Sequence, residues 1–154
     1  MYDPALIRTA ADLPAIQARL RPDEVAFTFE GRATTFAEVE AQSNRWAHAL
    51  IAAGVKPGER VAILSKNHDV FFPLWLGCAK ARACLAPVNF RLAPPEIAFI
   101  LRDSGARVLV VGQDFADAVA QIAGDVPELT QLVHVEEGHP RWPAFTDWIG
   151  GHPD

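Results

Sequence analysis

The sequence contains few of the residues that characterise several large classes of protein. Only two of its 154 residues are cysteines, which excludes a disulfide scaffold. Its 14 lysines and arginines form no cluster and are outnumbered by 19 acidic residues, so we expect no nucleic acid partner. The 10 glycines and 12 prolines are scattered, which excludes a collagen-like chain. Half of the residues are hydrophobic, which is too many for a disordered chain.

Targeting and membrane-spanning segments are also missing from the sequence pattern. Residues 1–4 lack the basic region and the following apolar run of a signal peptide. The longest nearly uncharged apolar stretch, residues 70–79, is too short to span a bilayer. We therefore expect a globular, cytoplasmic protein with no transmembrane segment.

The segments that are present alternate between strand and helix patterns. A helix at 4–19 and a β-hairpin at 25–34 are followed by a helix that begins after Thr35. Four short apolar strands are then separated by three helices, with the strands at 60–64, 83–88, 107–111 and 131–135, and the helices at 69–80, 94–103 and 115–123. This order is typical of βαβ units, and predicts an α/β fold with a parallel sheet covered on both faces by helices. We assign residues 1–135 to this subdomain and residues 136–154 to a surface tail or linker, which Trp142 and Trp148 fold back onto it.

Local signals fix some boundaries within this order. Thr35 and Glu38 have the spacing of a capping box, in which each side chain accepts a hydrogen bond from the other residue's backbone N–H. Gly54 is placed to end that helix in the left-handed conformation, and Gly31 to provide the turn of the hairpin.

No motif for catalysis is found in the residues themselves. A phosphate-binding glycine-rich loop would follow a strand, whereas the segment 54–58 precedes one and is better explained as a turn. The nucleophile motif of α/β hydrolases is absent. His134 and His139 lack the further ligands of a metal site, and we expect Cys78 and Cys84 to pack in the core. We thus predict no catalytic residue and no metal ligand.

Polar residues follow three of the strands, at 65–67, 87–89 and 112–114. Ligands of open parallel sheets bind beyond the carboxyl ends of the strands, so these residues either face a ligand or only cap the helices that follow. Among them Asn89 is the strongest candidate for a ligand contact at the sheet edge.

Six segments, in order, carry a resemblance to a known family. They include TTFAEV at 34–39, GVKPGERVAIL at 54–64 and KARACLAPVNFRL at 80–92; the others lie at 44–50, 65–67 and 96–101. This pattern resembles the N-terminal region of the adenylate-forming, or AMP-binding, enzymes, and it covers residues 23–111 closely. The run PVNFRL at 87–92 is similar to that of fatty- and aryl-acyl-CoA ligases. At Arg82, however, the family nearly always has glycine, so either Arg82 is strained or this turn is built differently.

The resemblance implies the N-terminal part of an acyl-CoA synthetase, a ligase that forms an acyl-adenylate from a carboxylate and ATP and then transfers the acyl group to CoA. ATP, Mg²⁺ and CoA are implied for the full enzyme, but the phosphate loop, the Mg²⁺ carboxylate and the catalytic lysine of the family would all follow residue 154. We therefore expect the 154 residues alone to be inactive and to bind none of these cofactors. The alternative is a free-standing, non-catalytic binding domain derived from this half-sheet.

The expected partners are the remaining part of the parent enzyme and a second copy of the chain. A sheet that normally packs against further residues would leave apolar surface uncovered when isolated. The aromatic residues expected to be uncovered, and to form a symmetric dimer, are Phe71, Phe72, Trp75, Trp142 and Trp148.

Overall fold

The computed structural model describes residues 7–154, so residues 4–6 of the first predicted helix lie outside it. Its helices are α1 (Asp12–Leu20), α2 (Phe36–Ala52), α3 (Phe71–Lys80), α4 (Pro94–Ser104), α5 (Ala116–Ile122) and α6 (Phe145–Gly150). Its strands are β1 (Val25–Phe29), β2 (Arg32–Thr35), β3 (Arg60–Leu64), β4 (Cys84–Pro87), β5 (Val108–Val111) and β6 (Gln131–His134). Short 3₁₀ turns, Gln113–Phe115 and Ala123–Asp125, flank α5.

The sheet has the predicted parallel topology. Its strand order is β4-β3-β5-β6, and every neighbouring pair is parallel. Strands β1 and β2 form a separate antiparallel hairpin, as predicted. Each crossover between β3 and β6 passes through one helix, which is the arrangement of successive βαβ units. The predicted α/β fold is therefore confirmed.

Two apolar cores cover the two faces of the sheet. On one face, Val61 and Ile63 of β3 pack with Trp46 of α2 and Leu74 of α3. On the other face, Leu64 packs with residues of α4 and α5 such as Ile97, Leu101 and Val119. Burial of these side chains is the main source of stability for such a layered fold, at about 1.5–3 kcal/mol for each large aliphatic residue.

The local signals read from the sequence have the expected geometry at α2. Thr35 accepts a hydrogen bond from the Glu38 backbone N–H at 3.3 Å, and Glu38 accepts one from the Thr35 N–H at 2.7 Å. Gly54 follows the helix with a φ of 81°, and Gly31 takes a φ of 78° in the hairpin turn. Each conformation is one in which a side chain would be strained.

Helices α2 and α3 approach closely at Gly77. A Cβ atom added to Gly77 would lie 2.4 Å from the Cβ of Trp46 and 3.1 Å from the carbonyl oxygen of Ser43. Glycine is therefore required here by space, because no side chain fits between the two helices at this point.

Arg82 adopts a backbone conformation that favours glycine. Its φ is 60°, in the left-handed region that costs a non-glycine residue roughly 1–2 kcal/mol. The turn is fixed on both sides, because the Arg82 N–H donates to the Ala79 carbonyl at 3.1 Å and the Arg82 carbonyl accepts from the Gly58 N–H at 2.8 Å. Of the two possibilities left by the sequence, the structure shows the strained one.

Some expectations about burial and boundaries were wrong. Cys78 is buried as predicted, but Cys84 is exposed, because β4 lies at the edge of the sheet rather than inside it. Residues 7–11 are not helical, and the first helix begins at Asp12. The Asp12 carboxylate accepts hydrogen bonds from the backbone N–H groups of Thr9 and Arg8, which fold this stretch into a turn and lower the pKa of Asp12.

The C-terminal segment contains a helix that the sequence pattern did not indicate. Helix α6 packs against α2, with Ile149 buried and Phe145 stacked on Trp46 at 6.0 Å between ring centroids. Phe71, Trp142 and Trp148, which were expected to be uncovered, are instead half-buried against the two cores, so of the five aromatic residues only Phe72 and Trp75 are exposed. The division of the chain at residue 135 stays a prediction. Across residues 7–154, no helix combines the length and apolar character needed to cross a bilayer.

Candidate functional site

The strand order creates a crevice between the carboxyl ends of β3 and β5. Strand β3 continues through α3 to β4 on one side, whereas β5 continues through α5 to β6 on the other side. The two connections leave in opposite directions, so the polypeptide diverges between these two strands. In open parallel sheets, such a divergence is where ligands usually bind.

A cleft of about 240 Å³ occupies this crevice. Ser65 and Lys66, after β3, face Gly112 and Asp114, after β5. A Cβ on Gly112 would lie 2.7 Å from Ser65 Oγ and 3.2 Å from Ser65 Cβ, so the two strand ends approach each other closely here. The Lys66 ammonium lies 2.6 Å from the Asp114 carboxylate, and both side chains are exposed.

A larger cleft, of about 620 Å³, adjoins the first and shares Glu30, His68 and Glu136 with it. It lies among the hairpin, the segment after β6 and helix α6. This volume falls within the ~300–1,000 Å³ that is common for sites of small molecules. Together the two clefts, here called the carboxyl-edge clefts, are the candidate site of this domain.

The charged groups of the carboxyl-edge clefts are largely paired with one another. Asp69 accepts from Arg32 at 3.0 Å and lies 2.8 Å from His68 Nδ1. Arg45 pairs with Asp154 at 3.0 Å. These cations are therefore already neutralised by carboxylates, which disfavours them as ligands for a polyphosphate.

The described residues form no cluster of metal ligands. Within residues 7–154, no group of three or more His, Cys, Asp or Glu side chains is close enough to hold a metal ion. The loop 65–69, which follows β3 as a phosphate loop would, contains no glycine. The residues present thus do not match the requirements of an ATP–Mg²⁺ site, which needs a glycine-rich cradle and acidic ligands.

Asn89, the sequence candidate for a ligand contact, lies outside both carboxyl-edge clefts. Its side-chain oxygen accepts a hydrogen bond from the Arg91 backbone N–H at 3.1 Å, which closes a local turn after β4. The side chain is exposed. A ligand contact at Asn89 stays a prediction. The point at which the strand connections diverge lies instead beside Ser65, Lys66 and Asp114.

Comparison with known proteins identifies the family of the chain. A family model described as AMP-binding enzyme matches residues 15–148. The chain belongs to the AMP-binding enzymes. The resemblance seen in the sequence motifs is therefore confirmed over most of the chain.

Relatives of this AMP-binding chain include ligases for several carboxylic acids. It is 38% identical to a fatty acid–[acyl-carrier-protein] ligase of Streptomyces coeruleorubidus, over 90% of this chain and 26% of the relative. It is 42% identical to a feruloyl-CoA synthase of Amycolatopsis, over 71% of this chain and 22% of the relative. It is 43% identical to a long-chain-fatty-acid–CoA ligase of Mycobacterium tuberculosis, over 75% of this chain and 20% of the relative.

Solved structures of ligases share the same fold. An anthranilate CoA ligase in complex with anthranoyl-AMP superposes with a TM-score of 0.90 and 33% identity, over 96% of this chain and 29% of that one. A long-chain-fatty-acid CoA ligase from Rhodopseudomonas palustris, described as putative, gives a TM-score of 0.88 and 35% identity, over 94% and 37%. The chain therefore spans only 20% to 37% of the length of these relatives and structures.

Proposed function

We propose that this chain is the N-terminal part of an acyl-CoA synthetase, which activates a carboxylate with ATP and then forms a thioester with CoA. The observation that supports this most strongly is the 38–43% identity to ligases that all act on carboxylic acids. Their printed acceptors are CoA and an acyl carrier protein, so the class of reaction is shared while the acyl substrate varies.

Within that reaction, the 154 residues provide a framework rather than the reacting groups. ATP, Mg²⁺ and CoA belong to the complete enzyme, and the described residues do not form a suitable set of ligands for them. The layered sheet of β3 to β6 instead supplies a rigid support, because its central strands β3 and β5 are buried between the two cores. Charge neutralisation at the transferring phosphorus, the main catalytic contribution in such reactions, must come from other residues.

The alternative function is that of a free-standing binding domain, and one observation favours it. The larger carboxyl-edge cleft has the volume of a small-molecule site within this chain alone. The two functions differ in what the reading frame encodes after Asp154. Continuation into a Ser/Thr/Gly-rich loop that ends in lysine would support the synthetase, and a stop codon would support the binding domain.

Carboxylate-dependent exchange of pyrophosphate into ATP tests the proposal directly. The 154-residue chain should show no exchange with fatty or aromatic acids, whereas a chain extended to the length of its relatives should show it. Exchange by the pure 154-residue chain would mean that the phosphate machinery lies within it. Absence of exchange in the extended chain, across acids of both types, would contradict the synthetase.

Self-association of the isolated chain is proposed to occur through an aromatic patch made by Phe27, Phe72 and Trp75. Phe72 contacts Phe27 at 5.9 Å and Trp75 at 5.8 Å between ring centroids, and Phe72 and Trp75 are 45% and 41% exposed. Sedimentation at micromolar concentration should show a dimer that Trp75→Lys dissociates. The control Ile51→Lys, at a lone exposed apolar residue, should leave the dimer intact. A wild-type monomer would contradict the proposed dimer.

A further inference from the structure

Three stacked rings attach the segment after β6 to the sheet. His134, the last residue of β6, is fully buried, and its ring lies 4.8 Å from that of His139. The ring of His139 lies in turn 4.2 Å from that of Trp142. Interplanar angles of 21° and 17° make both contacts stacked. Since Trp142 also packs on the core beside α4 and α5, two imidazoles mediate the attachment of residues 136–144.

The hydrogen bonds of His139 require the neutral form of its ring. Its Nδ1 accepts from the backbone N–H of Trp142 at 3.1 Å and from that of Arg141 at 3.3 Å. An acceptor nitrogen has no proton, so the proton of the neutral ring is on Nε2. A solvent proton that binds the Nδ1 lone pair would turn the acceptor into a donor, and both hydrogen bonds would be lost.

The ring of His134 makes one hydrogen bond. Its Nδ1 lies 2.8 Å from the carbonyl oxygen of Glu136, which can only accept, so Nδ1 carries the proton. Its Nε2 is buried without any hydrogen-bond partner.

The groups around the stack shift the pKa of His139 in both directions. Burial lowers the pKa of His139 below its ordinary value, and His134 and Arg141 lower it further, while Asp117 of α5 opposes them. The Glu136 carboxylate lies 3.7 Å from His134 Nδ1. The sum favours the neutral ring at His139.

We propose that the His134–His139–Trp142 stack is a proton-sensitive latch, which holds residues 136–144 and α6 closed beside the larger carboxyl-edge cleft and releases them on acidification. Three links connect the stack to α6. The backbone N–H of His134 donates to the Pro143 carbonyl at 2.8 Å, and His134 forms an isolated parallel β-bridge with Ala144. Helix α6 begins at Phe145, the residue after Ala144. Phe145 and Ile149 of α6 line the larger cleft, so release of the segment widens it.

The sign of the pH dependence follows from proton linkage. The closed segment binds the His139 proton more weakly than the open segment does, so the closed state is most stable above pH ~6.5 and loses stability as the pH falls. For a single proton, the open fraction rises by at most about tenfold per pH unit, and only between the pKa of His139 in the open segment and its lower pKa in the closed segment; below that lower pKa it is constant.

Amide hydrogen exchange of the whole chain, followed residue by residue by NMR at fixed pH values from 7.5 to 5, tests the latch. Exchange at Arg141, Trp142 and Trp148 should rise on acidification by up to about tenfold per pH unit, relative to His139→Asn at the same pH. Asparagine offers an oxygen that accepts from the same N–H groups but does not titrate. His48→Gln, at an exposed histidine of α2, should behave as the wild type does.

Exchange at Val110 of β5 separates the latch from global unfolding. The protection of Val110, which is its exchange rate relative to the intrinsic rate at the same pH, should stay constant over this range, and a parallel loss of protection at Val110 would overturn the proposal. The proposal would also be overturned if the protection of Arg141 and Trp142 did not fall on acidification in the wild type. It would equally be overturned if protection fell as much in His139→Asn as in the wild type. A second measurement needs no variant: the ring nitrogen shifts of wild-type His139 should show protonation at Nδ1 over the same pH range in which Trp142 is released. Protonation without release would also overturn the latch.

Discussion

Lys80 and Glu40 join helices α3 and α2 through a partly buried ion pair, with Nζ of Lys80 2.6 Å from Oε2 of Glu40. The same ammonium donates to the side-chain oxygen of Asn44 at 2.6 Å, and Asn44 donates to the other Glu40 oxygen at 3.0 Å. Asn44 and Lys80 were part of the sequence motifs that indicated the family. Their contact gives them a physical role, which is to fix the packing of the two helices.

Substitution Lys80→Met should lower the free energy of unfolding by about 1–3 kcal/mol, because it leaves a half-buried carboxylate without its cation. Urea unfolding measures the loss. The control Lys66→Met removes a lysine from the exposed pair with Asp114, where less than about 1 kcal/mol is expected. Equal losses in the two variants would mean that the buried pair has no special role.

Substitution Gly77→Ala should also destabilise the chain, by about 1–3 kcal/mol, because the new Cβ would clash with Trp46. The matched control is Gly150→Ala in α6, where a Cβ meets nothing within 4 Å. Alanine is the better helix former by up to about 1 kcal/mol, so the control should be neutral or stabilising. Thermal unfolding of both variants checks the opposite signs. A stable Gly77→Ala would show that α2 and α3 move apart at little cost.

Substitution Arg82→Gly should stabilise the chain by about 1 kcal/mol, because glycine adopts a positive φ without strain. The control is Arg82→Ala, which removes the side chain but keeps a Cβ in the left-handed conformation. Urea unfolding should show a gain for glycine and almost none for alanine. A similar gain for alanine would assign the effect to the arginine side chain instead of the backbone.

The two cysteines should differ sharply in reactivity. Burial, together with the nearby Cys84, raises the pKa of Cys78 to about 12, so its reactive thiolate is scarce at neutral pH. Cys84 is exposed at the sheet edge. A thiol reagent at pH 7.5 should label one group per folded chain and two in urea, and Cys84→Ser should abolish the fast labelling. Rapid labelling of two thiols in the folded chain would contradict the burial of Cys78.

The helix and turn boundaries that were predicted correctly depend on short-range interactions. The Thr35–Glu38 capping box and the turn at Gly54 involve residues a few positions apart, so their pattern is visible in the sequence. Helix α6 has only six residues and is stabilised by packing of Ile149 and Phe145 on α2, about 100 residues away in the chain. Such a helix leaves little periodicity to detect.

The location of the candidate site required information that the sequence pattern lacks. Polar residues after β3, β4 and β5 look equivalent in sequence, and Asn89 was preferred. Only the strand order shows that the polypeptide diverges between β3 and β5, which brings Ser65 and Gly112 together. The burial of Cys84 was misjudged for the same reason, since an edge strand and a central strand can have equally apolar sequences.

The position of β4 at the sheet edge affects how the isolated chain meets other chains. The backbone N–H groups of Cys84 and Val88 donate to residues of the β3 segment. Because successive N–H groups of a strand point to opposite sides, those at positions 85 and 87 would face the open edge. Residue 87 is proline, which has no N–H, and the Ala83 N–H already donates to the Cys78 carbonyl. The open edge therefore offers a single backbone donor, at Leu85. Addition of a further strand at this edge is therefore disfavoured.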